Sequence, residues 1–199
     1  MIVDTHLLMS QILYKYIKNQ VDFKLNKIAF AYGNIKPDFS SKDINRPHTL
    51  DESLYSVNKY SKELMSRNVS TLEFSKCLGI ICHFSCDYFC LYHRDGNEKK
   101  GIFEHVLYEF ILHIKLIALL LTGTLKFGEN EIFENSPDVI AIKLEREYNL
   151  QSKNLTRDIT YALCCASKIS KLIVCSSQLY IDQNQTNISK HYHLHTIQR

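Results

Sequence analysis

Apolar residues recur at intervals of three and four along most of the chain, the spacing that gathers them on one face of an α-helix. Leu8, Ile12, Leu13, Tyr16 and Ile17 set this rhythm first and predict a helix over 4–19. A second, short helix is expected to end at Gly33, since glycine readily adopts the backbone conformation that terminates helices. Residues 34–47 contain Pro37, Pro47 and several small polar side chains, and read as an irregular loop. Thr49 followed by Glu52, and Ser70 followed by Glu73, are capping-box pairs, predicting helices that run to about 67 and about 92. After a turn around Asp95, Gly96 and Asn97 the pattern predicts a long helix over 102–121. Ser136 before Pro137 fits an N-cap with proline at the first helical position, starting a helix to 148, and a last one is expected over 156–180. No alternating run of β-branched residues bounded by turn signals marks a strand. The fold class expected is therefore all-α: one compact multi-helix domain over 1–181 and a polar tail over 182–199, without repeat or linker.

Composition changes this picture little. A chain of 199 residues buries roughly 70% of its unfolded surface, enough for one core. The 45% apolar and 23% charged fractions are globular values and exclude a disordered or fibrous protein. A net charge of +3, with Lys and Arg dispersed, lacks the footprint of a protein that binds duplex nucleic acid stably. The first ten residues carry Asp4 and no basic stretch ahead of an apolar one, so no secretory leader is expected. That places the protein in the cytoplasm, or outside the cell if a leader has been removed. The longest apolar run, 114–122, is interrupted by Lys115, reaches about half the ~20 residues of a membrane span, and reads as a buried helix face. Of the seven cysteines, Cys82, Cys86 and Cys90 stack along one helical side and read as core residues in a reducing compartment, since zinc sites built from thiolates usually show paired spacing. His191, His193 and His195 in the tail suit either a metal or an uncommitted surface.

The central third carries the chemistry. His83 and Asp87 lie four apart on one predicted helix, and His105 and Glu109 four apart on the next. Residues at that spacing share a helix face, with Cβ atoms about 5–6 Å apart, close enough to hold one ion. His93 falls where the chain turns between them. Each pair alone also suits a simple hydrogen bond. Together, on segments otherwise lined with Leu78, Ile80, Ile81, Phe84, Phe89 and Phe110, they would cost several kcal/mol to bury unless paired or bound to a cation. Imidazole with carboxylate suits zinc.

The series His83, Asp87, His93, His105, Glu109 resembles the ligand series of the bacterial zinc-dependent phospholipases C. His6 near the N-terminus and the segment Gly33, Pro37, Asp38 followed by His48 extend the resemblance over the first half of the chain. It implies an all-helical fold holding two or three zinc ions. Asp38, His48, His83 and Asp87 would bind one, His93, His105 and Glu109 a second, and His6 with the bridging Asp87 a third. In the family the amine and carbonyl of the mature N-terminal residue, generally tryptophan, complete that third site; here Met1 takes the position.

The activity implied is hydrolysis of a phosphodiester, most directly phospholipase C-like release of a phospholipid head group. Clustered metals lower the pKa of a water and stabilise both entering and leaving oxygens at phosphorus. Asp38 is the candidate for orienting or deprotonating that water. Two alternatives stay open: a single-strand nuclease of the same fold, whose last ligand is usually aspartate rather than Glu109, and a non-catalytic zinc-binding module. Tyr32, Phe39 and Tyr55 are expected in the core or around a cationic head group. His113, eight residues after His105, is expected either to support a ligand or to be an ordinary core or surface residue. The chain lacks the β-sandwich that membrane-attacking members append, so membrane contact is expected to be peripheral at most.

Overall fold

A computed structural model describes residues 1–21, 23–39, 49–94, 101–128 and 134–184. Among the described residues the longer α-helices follow in order: α1 Val3–Gln20, α2 Lys27–Phe39, α3 Leu50–Ser66, α4 Thr71–Asp87, α5 Ile102–Leu121, α6 Pro137–Asn149 and α7 Leu155–Cys175, with a 3-10 turn at Leu91–His93 between α4 and α5. No strand occurs among the described residues, and the protein is all-α. The turn at 95–97 and the tail histidines lie outside the described residues, as does His48.

The helix starts follow local chemistry. Ser70 accepts from the Glu73 amide at 3.2 Å, and Asn154 caps α7 by accepting from the Arg157 amide. Thr49 donates to the Glu52 carboxylate at 2.9 Å instead of capping the backbone. The ends depart further from expectation. The helix that starts at Thr71 stops at Asp87 instead of 92, because the chain turns there and the Leu91 amide donates to the Tyr108 hydroxyl at 3.2 Å. The last helix breaks after Cys175, where Ser177 accepts from the Tyr180 amide and opens the short helix Gln178–Asn184. No single described helix is long and apolar enough to cross a membrane.

Gly33 does not terminate a helix, and residues 34–39 are not a loop: α2 runs through both Gly33 and Pro37. The reason is tertiary. Gly33 and Gly79 face each other where α2 crosses α4, so closely that a Cβ on Gly33 would sit 2.1 Å from the Lys76 carbonyl oxygen. The glycines are there for close approach. Pro37 falls in the last turn of α2, two residues before Phe39.

Helices α4 and α7 form the centre. Phe74, Leu78, Ile81 and Phe89 pack with Ile159, Leu163, Ile169 and Ile173, all essentially inaccessible. Cys82 and Cys86 lie in this core as expected, and no cysteine is in a disulfide. A buried polar knot ties α5, α6 and α7 together. Asp158 accepts from the Tyr108 and Tyr148 hydroxyls, each at 2.7 Å, and from Arg157 at 3.0 Å, while the Arg157 guanidinium lies 3.8 Å over the Tyr148 ring. Removing one partner of such a buried pair strands the other, so Asp158→Ala should destabilise the fold by about 3–5 kcal/mol, measured as a lower denaturation midpoint. Because Tyr108 also receives the Leu91 amide, this knot positions the turn that carries His93.

Candidate metal centre

The site forms where the N-terminus, the end of α2, the end of α4, the 3-10 turn and the start of α5 converge. Asp87, the last residue of α4, is its hub and is fully buried. Its Oδ1 lies 2.9 Å from the Met1 α-amine and 3.2 Å from His6 Nε2; its Oδ2 lies 3.4 Å from His83 Nε2 and 3.2 Å from His93 Nδ1. Glu109 gathers the other side: its Oε1 is 2.8 Å from His105 Nε2, 3.4 Å from His93 Nε2 and 3.1 Å from the Met1 amine. Asp38 approaches from the last turn of α2, its Oδ1 3.7 Å from His83 Nε2. Eight of the nine residues singled out in the sequence thus come together: Met1, His6, Asp38, His83, Asp87, His93, His105 and Glu109.

Electrostatics within the cluster are strong. Burial pushes the Asp87 carboxyl up, but His93, the α-amine, His6 and His83 outweigh it and hold the group well below the usual carboxylate range. Burial likewise raises Glu109, yet hydrogen bonding from His93 and the neighbouring positive charges hold it at about 2. The α-amine is lowered by burial and raised more by Asp87 and Glu109, reaching about 12. A zinc ion there would thus displace a proton held by two carboxylates, not one that leaves freely near neutrality. Both carboxylates are anionic and ready to ligate.

The donor set fits zinc by its own chemistry. His83 Nδ1 lies 2.8 Å from the Asn34 carbonyl oxygen. A carbonyl can only accept, so Nδ1 carries the proton and Nε2 turns its lone pair toward Asp87 and Asp38. His6 is fully buried, stacks on His83 with ring centroids 4.0 Å apart, and has no hydrogen bond on either ring nitrogen among the described residues. A buried imidazole in that state beside a carboxylate is what a ligand with no ion bound would look like. Among the described residues, two sets have ligand atoms mutually within 4.8 Å: His6, His83 and Asp87, and Cys90, His93 and Glu109.

Cys90, which the sequence favours as a core residue over a metal ligand, borders the cluster. Its Sγ is buried and lies 3.9 Å from Glu109 Oε1, so it borders the second set. Its place three residues after Asp87, on the same side of the helix expected from sequence, is the available signal. Burial raises its thiol to about 12, which keeps it protonated beside the carboxylates. Asn34, whose carbonyl orients His83, carried no signal, because backbone acceptors are invisible in sequence. His113 joins α5 to α1, its Nδ1 3.0 Å from Oγ1 of Thr5, the residue before His6. Tyr92 stacks on His105 at 4.9 Å. Tyr32, Phe39 and Tyr55 leave the core: all three are more than half exposed.

Comparison with curated proteins and with solved structures finds no match. The family model described as zinc dependent phospholipase C matches residues 5–166, a span containing every residue of the cluster except Met1. The chain belongs to the zinc-dependent phospholipase C family.

Proposed function

We propose that the protein hydrolyses a phosphodiester at this cluster, releasing the phosphorylated head group of a phospholipid from its diacylglycerol. The observation carrying this reading is the convergence of four imidazoles and two anionic carboxylates in a chain of this family. His6, His83 and Asp87, with Met1 and Asp38 beside them, would hold zinc on one side; His93, His105 and Glu109 would hold it on the other. His48 is proposed as a further ligand of the first side. Two or three ions are expected, the third resting on Met1 and His6.

When bound, zinc supplies Lewis-acid stabilisation of charge developing on the phosphoryl oxygens and makes water a nucleophile near neutral pH. The chain's own part is positioning. Asp38 lies at the open edge, where it can accept the proton of the attacking water; the oxygen of that water bonds to phosphorus as the bond from phosphorus to glycerol oxygen breaks. His105, about a third exposed, is held by Glu109 and the Tyr92 ring. The protein should release p-nitrophenol from p-nitrophenylphosphorylcholine, and Glu109→Ala should lower kcat by about 10²–10³-fold with a smaller change in KM, because the lost interaction acts on transition-state charge. Turnover of single-stranded DNA but not of lipid would assign the site to a nuclease. No turnover of either would leave a binding module.

A further inference from the structure

Helix α5 has a second side that the metal centre does not use. Glu109, Leu112, Leu116 and Leu119 face the protein and are buried. The opposite side displays Phe103, Leu107, Phe110, Ile114, Ile117 and Leu121, each between 39% and 83% exposed. The run 114–122, which reads from sequence as a buried face, is therefore mostly exposed, with only Leu116 and Leu119 buried. With Ile102, Val106, Ile111 and Leu120 beside it, this stripe exposes apolar area on the order of 1,000 Å², taking ~200 Å² for a large side chain. That exceeds the roughly 300–600 Å² of the largest patch on a typical monomer, and is comparable to the ~800 Å² each partner gives to a stable interface.

The stripe's spacing suits a second helix as its cover. Its six residues are separated by four, three, four, three and four positions, a heptad seam suited to packing against another helix. That sequence of intervals is the same read in either direction. A two-fold contact requires this, since residue i must meet j while j meets i. We propose that α5 pairs antiparallel with α5 of a second copy of this chain, about an axis at the level of Leu112. Phe103 then meets Leu121, Leu107 meets Ile117 and Phe110 meets Ile114, so each aromatic ring packs on an aliphatic partner. Along the edges Val106 meets Leu120 and Glu104 meets Ala118, so no like charges are brought together. Ile111 meets its own counterpart. A bilayer fits less well: helices that lie on membranes carry Lys and Arg along their polar edge, whereas Ile102–Leu121 holds a single one, Lys115. This pairing is independent of the hydrolysis proposed above.

Light scattering on the purified protein, compared with Ile114→Glu, tests the pairing. The wild type should have about twice the 23.2 kDa chain mass. Ile114→Glu should weaken association at least ~100-fold, giving single chains with unchanged helicity and zinc content. In a Cys175→Ser background, Ile111→Cys should crosslink to its counterpart under mild oxidation, and this reads the register even if the Glu variant folds poorly. A wild type of single-chain mass at high micromolar concentration would overturn the proposal. So would a dimer that Ile114→Glu leaves intact, a dimer in which Ile111→Cys fails to crosslink, or monomers that bind phosphatidylcholine vesicles through this stripe.

Discussion

Asp87→Asn should abolish the metal centre while leaving the core nearly untouched. The side chain keeps its size, but its negative charge disappears from a fully buried position facing the Met1 amine, His6, His83 and His93. Four groups that are cationic or bind cations then share a pocket with only Glu109 and the more distant Asp38 to balance them. Zinc content should fall by at least one ion per chain, and phosphodiester hydrolysis by about 10³-fold or more, since the carboxylate belongs to one ligand set and touches His93 of the other. Helicity by circular dichroism should stay at the wild-type level. If Asp87→Asn retains both zinc and turnover, the hub assignment is wrong.

The second large effect concerns stability and lies away from any ligand. In Gly79→Ala the new Cβ would lie 2.3 Å from the Phe30 carbonyl oxygen and 2.9 Å from both the Asn34 amide nitrogen and the Gly33 Cα. All three are backbone atoms of α2, so no side chain can rotate away and the two helices must separate. Overpacking of this kind costs about 1–3 kcal/mol or more, which for a domain of this size lowers Tm by roughly 5–10 °C. The consequence should reach the metal. Asn34, whose carbonyl holds the His83 ring, is on the part of α2 that would be displaced, so zinc affinity at the His6, His83 and Asp87 side should fall as well. A variant with wild-type Tm would show that the helices do not cross this closely.

Much of this was legible because it is local. Ser70 with Glu73, and Ser136 before Pro137, placed helix starts to within a residue, since capping is settled by neighbours in sequence. The pairs His83 with Asp87 and His105 with Glu109 were visible for the same reason: four residues is one helical turn. His6 and Asp38 carry no local signal, and only the family resemblance drew them in. Gly33 was misread because a glycine that ends a helix and one that lets two helices touch look alike until Gly79 is known to lie opposite. Tyr108 is a similar case, since its role depends on Asp158 being fifty residues away and buried. The stripe on α5 was misread for a different reason. Helical periodicity shows that an apolar face exists, not whether the chain's own core or another helix covers it.

The central claim is that His6, Asp87, His93 and Glu109 converge to bind zinc. Elemental analysis of protein beginning at Met1, purified without chelators, should find at least two zinc ions per chain. Stripping them should lower Tm, because the freed carboxylates and imidazoles would remain buried without their cation. Fewer than one zinc per chain, with Tm indifferent to chelation, would contradict the account.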